Sequence, residues 1–75
     1  MKALRQKLIS RGIVEIFCTI RMNASGRCEV ALYEGNLNGA GAVLMIRRFK
    51  VFDDAWRFLL RAKMACYSMD VDFLY

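Results

Sequence analysis

The sequence has no histidine and no proline, and no apolar run approaches the roughly 20 residues of a membrane helix. Each absence removes a class of protein. Without histidine, the mixed cysteine–histidine zinc sites cannot form, and the commonest general base is missing. Cys18, Cys28 and Cys66 are the three cysteines, and no C-x-x-C joins any two of them. An odd count with that spacing supports neither a disulfide framework nor a zinc site. They read as reduced, buried thiols of a cytoplasmic protein. The opening MKALRQKLISRG lacks the apolar centre of a signal peptide. Asn23-Ala24-Ser25 matches a glycosylation sequon, which carries no meaning without secretion. The lack of proline and a charged content of 25% argue against a disordered tail. Neither a repeat nor a low-complexity segment is present.

What the chain does have is apolar surface. Its 75 residues make one domain, and 57% of them are apolar. A domain this small has little interior in which to hide them. Either both faces of its sheet are covered, or it self-associates as a homodimer, or it shows an apolar patch to a partner. The net charge of +5 permits attraction to nucleic acid, an anionic membrane or an acidic protein, without choosing among them.

Residues 1–11 carry four cations and no acid, with Leu4 and Leu8 one helical turn apart. They suit a short helix or ordered arm stopped by Gly12. Residues 13–22 alternate, with Val14, Ile16, Cys18, Ile20 and Met22 on one face, and read as a strand. Ala24-Ser25-Gly26 suits a three-residue hairpin loop. That loop sets Met22 against Cys28, Ile20 against Val30 and Cys18 against Leu32, so Cys18 and Cys28 are not partners. Residues 27–34 form the second strand. A glycine-rich turn over 35–41 follows, with Asn38-Gly39 as the hairpin signal. Residues 42–49 are a third strand whose unbroken apolar run suggests burial on both faces.

Asp53 is placed to cap a helix over 54–67. Asp54, Arg57 and Arg61 share one stripe, while Ala55, Trp56, Leu59, Leu60, Ala62 and Cys66 would face the sheet. Lys63 falls on that apolar side and must snorkel past it. Residues 69–75 alternate as a last strand, with Met69, Val71, Phe73 and Tyr75 on one side. The expected fold is α+β: a small, mainly antiparallel sheet of about four strands, arranged as a meander, a helix and a last strand. One main helix packs on one face, behind a short N-terminal helix.

Few residues in the chain support chemistry. The glycines of 35–41 lie between strands and lack the Gly-Lys-Ser/Thr ending of a phosphate loop. The acids fall at the helix start or on outward strand positions. No catalytic residue, metal ligand or cofactor is expected, and the chain reads as a non-enzymatic binding protein. The sharpest local feature is Arg47-Arg48-Phe49-Lys50. With Phe17, Arg21 and Tyr33 on the sheet face away from the helix, it could hold phosphates and stack a base. The same face, with Ile13 and Leu74, could instead meet a protein or a second copy. The basic N-terminal segment could also lie over that face through Leu4 and Leu8.

The layout of residues 13–67 resembles that of small phage and mobile-element proteins, anti-CRISPR proteins among them. The resemblance lies in a meander containing Val30-Ala31-Leu32-Tyr33-Glu34-Gly35, followed by Phe52-Asp53-Asp54-Ala55-Trp56 opening a helix. It implies a stoichiometric inhibitor acting in the host cytoplasm by docking on a defence complex. Family members that imitate DNA are usually acidic, whereas this chain is basic. An inhibitor of this charge would touch an acidic protein surface through Arg47, Arg48, Arg57 or Arg61.

Overall fold

The computed structural model describes residues 1–36 and 39–74, with side chains for 1–35 and 41–74. The element order is α1 (Lys2–Arg11), β1 (Glu15–Met22), β2 (Cys28–Asn36), β3 (Gly39–Phe49), α2 (Phe52–Tyr67) and β4 (Asp72–Leu74). The fold is α+β, as the alternation and the helical spacings indicate. The strands form one sheet in the order β3-β2-β1-β4. β1, β2 and β3 pair antiparallel, and β4 joins β1 in parallel. A parallel neighbour requires a crossover, and α2 supplies it by carrying the chain from one edge of the sheet to the other.

The first hairpin has the expected register, with Met22 opposite Cys28, Ile20 opposite Val30 and Cys18 opposite Leu32. Its turn is built by Asn23, whose side-chain oxygen accepts from the backbone N–H of Ser25 at 3.1 Å and of Arg27 at 3.0 Å. This asparagine turn leaves Gly26 in the left-handed region at φ 82. The second hairpin differs from the expectation. Gly35 and Gly39 through Gly41 belong to strands rather than to a turn, because β2 runs to Asn36 and β3 begins at Gly39. The expected Asn38-Gly39 turn falls partly on residue 38, outside the described residues.

β3 is not buried on both faces. Val43 and Ile46 are 51% and 40% exposed, because both helices lie on the other side of the sheet. The unbroken apolar run has a local cause. A β-bulge between Val43 and Met45 sets two residues, Leu44 and Met45, against Leu32, and both are buried in the core. A bulge places successive side chains on one side, so apolar residues appear consecutively in the sequence.

α1 ends at Gly12, whose φ of 60 turns the chain back so that the Gly12 N–H donates to the Ile9 carbonyl and the Ile13 N–H to the Leu8 carbonyl. Ten residues make a marginal helix alone, and no side chain caps its start. It holds through Leu4 and Leu8, which are fully buried in the core with Ile13, Leu44 and Phe58. Thus α1 does not cover the open sheet face, and Ile13 does not line that face. The Lys7 amine also donates to the carbonyl of Leu44.

α2 begins two residues earlier than expected, with Val51 at the cap position. Asp53 is therefore not the cap. Asp53 and Asp54 lie in the first turn, where negative charge complements the helix dipole. The helix ends with the N–H of Val71 donating to the Cys66 carbonyl at 2.8 Å, and Asp70 takes the left-handed position at φ 56. This tight stop aims the chain into β4, whose Phe73 lies opposite Ile16 on the core side.

Candidate functional site

The residues singled out by sequence separate onto two surfaces. Alternation along β3 divides the basic run. Arg48 lies opposite Glu29 and faces away from the helices, whereas Arg47 lies opposite Val30 and Phe49 opposite Cys28, facing them. Phe49 packs on Phe58 with ring centres 5.5 Å apart and planes tilted by 43°, so it is not a base-stacking residue of the open face. Lys50 follows the strand in an exposed bend.

The open face is read row by row across the strands. Asp72 and Glu15 form the first row. Leu74, Phe17, Tyr33 and Val43 form the next. Thr19, Ala31 and Ile46 come after it, and Arg21, Glu29 and Arg48 form the last. The centre is therefore apolar, with a carboxylate end and a guanidinium end. Arg48 Nε donates to Glu29 at 3.1 Å. Phe17 and Glu15 lean over Gly35, where an added Cβ would sit 2.7 Å from Glu15 Oε1 and 3.1 Å from the Phe17 ring. Gly35 thus allows the Phe17 ring to spread across the β2 backbone. At the Arg21 end of the sheet a groove of about 550 Å³ is lined by Arg21, Arg27, Glu29, Arg48, Phe49 and Lys50, so cations gather there while Glu15 and Asp72 stand at the other end.

Further cations gather on the helix side. A groove of about 590 Å³ is lined by Phe49, Asp54, Arg57, Leu60 and Arg61. A neighbouring groove of about 340 Å³ shares Arg61 and adds Lys2 and Arg47 beside Phe58. Four cations therefore line the pair of grooves, with Asp54 the one carboxylate among them.

The sequence reading placed Trp56 and Leu60 toward the sheet. Instead they are 39% and 43% exposed, and Phe58 and Ala65 take the buried positions. Phe52, Trp56, Leu60 and Met64 stand at intervals of one helical turn along the outside of α2, beside Arg57 and Arg61. Phe52 and Trp56 stack with ring centres 6.5 Å apart. The Lys63 amine lies 5.6 Å from the centre of the Tyr67 ring rather than reaching past the core. The four-residue spacing was visible in the sequence. It was masked because α2 also has a complete apolar stripe inside.

Cys18, Cys28 and Cys66 are free and buried. Burial pushes the Cys18 and Cys66 thiols up to about 11, which keeps them protonated and poor nucleophiles. Among the described residues, no three histidine, cysteine or acidic side chains gather as a metal site. No described helix is long and apolar enough to cross a membrane. Comparison with protein-family models, with curated proteins and with solved structures finds no match for this chain.

Proposed function

We propose that this chain is a non-enzymatic binding protein that docks on an acidic protein surface through the outside of α2. The observation that carries the reading is the apolar stripe of Trp56, Leu60 and Met64 beside Arg57 and Arg61. A helix that only closes a core has a polar outer face. Tryptophan and arginine are the residue types that most often anchor protein interfaces. A row of cations beside an apolar ridge fits a carboxylate-rimmed hydrophobic partner. The resemblance in layout to anti-CRISPR proteins extends the proposal to the target. It would be a host defence complex, inhibited by stoichiometric occlusion in the cytoplasm.

Isolated host defence complexes titrated with the chain provide the test. A complex that binds should lose at least tenfold in affinity with Arg61→Glu and with Trp56→Ala, while circular dichroism stays native. If binding is unchanged in both variants, the α2 surface is not the site. If only nucleic acid binds, with an affinity that falls steeply between 50 and 200 mM salt, the chain is a nucleic-acid protein instead.

A further inference from the structure

A second surface remains, and its two ends are opposite in charge. We infer that the open sheet face seats a second copy of this chain, related by a two-fold axis running across the strands. Such an axis reverses the order of the rows on the facing copy. Asp72 and Glu15 of one copy then lie over Arg21 of the other, and the reciprocal contact repeats across the axis. The two apolar rows exchange in the same way. Phe17 and Tyr33 of one copy fall over Thr19 and Ala31 of the other, so large side chains meet small ones. An axis running along the strands would place carboxylate ends side by side and large residues against large. Self-complementarity of one patch is what a two-fold dimer requires, and facing sheets pack close to aligned.

Among the described residues, both sheet edges are partly shielded. In the edge strand β3 the carbonyls of Leu44 and Ile46 accept from the Lys7 amine and from Arg47 Nη1. β4, the opposite edge, is three residues long. Protected or short edges do not template pairing with another chain. The face spans about 20 Å along the strands and about 20 Å across them, at ~3.3 Å per residue and ~4.8 Å per strand. Roughly 400 Å² in projection on each copy is about half of what a standard interface covers per partner, so the dimer is a weak one.

Sedimentation equilibrium from 5 to 500 μM tests this in the intact chain. The expected result is a monomer–dimer equilibrium. Arg21→Glu alone should weaken it at least tenfold, and Glu15→Arg alone should do the same. The double swap, Glu15→Arg with Arg21→Glu, should return it to within about threefold, because each new cation again meets a new carboxylate. A monomer throughout the range overturns the inference. So does a double swap no tighter than the single ones, which would mean that the two residues do not face each other. Glu15 also leans on Gly35, so Arg21→Glu with native circular dichroism is the cleaner single variant. Neither position lies on α2, so failure here leaves the proposed docking surface standing, and failure there leaves the dimer standing.

Discussion

Replacing Leu8 by alanine measures whether the N-terminal helix belongs to the core or merely rests on it. Leu8 is fully buried, against Ile13 and Leu44 among others. The substitution removes three carbons, worth about 2.4 kcal/mol at ~0.8 kcal/mol per buried methylene. Incomplete collapse of the cavity adds to that, so the expected loss is about 3 kcal/mol. A chain of this length has about 4–11 kcal/mol of stability in all, so the loss is a large fraction of it. Urea denaturation followed by circular dichroism is the assay. With a slope of ~1 kcal/mol per molar urea, the midpoint should fall by about 2–3 M. Ile9→Ala, at an exposed position on the same helix, is the control and should change stability by less than about 0.5 kcal/mol. A loss below about 1 kcal/mol would refute the reasoning. So would an unmoved midpoint accompanied by amide exchange confined to α1. Either result would mean that α1 detaches while the sheet and α2 stay folded.

Two further predictions follow from the same packing. Gly35→Ala should destabilise by about 1–2 kcal/mol in thermal unfolding, because its Cβ would press on Glu15 and Phe17. An unchanged melting temperature would mean that both side chains swing aside freely. Stability should also be flat below pH 9 and fall as pH rises toward 11. The Cys18 and Cys66 thiols are raised by burial to about 11, so the folded state holds protons that the unfolded chain releases from about pH 9 upward. Urea midpoints from pH 7 to 11 read this directly. Cys18→Ala and Cys66→Ala should each flatten the alkaline decline, and a decline equally steep in both variants would assign it to other groups.

β1, β2 and the first hairpin were legible because their information is local, whereas the strand expected over 69–75 begins only at Asp72, after a turn through Asp70. Alternation of period two marks the faces of β1, and the turn at Asn23 fixes the partner of every residue that follows. The same locality explains the errors. Consecutive apolar residues in β3 read as two buried faces, but they come from a bulge that sequence periodicity does not show. Asp53 looks like a helix cap, yet the helix starts at Phe52 because Val51 already has the extended cap backbone, at φ −127.

For the candidate surfaces, residue types were readable and their grouping was not. Arg47 and Arg48 are neighbours in the chain and point to opposite sides of the sheet. Arg47 and Arg61 are distant in the chain and line one groove, because α2 crosses over β3. Composition and periodicity, which are properties of the chain alone, require a small α+β domain with more apolar surface than one core can hold. Which apolar residues stay outside depends on how the elements pack. α2 is apolar on both sides, and packing both helices on one sheet face buries Phe58 and Ala65 while leaving Trp56, Leu60, Val43 and Ile46 exposed to water.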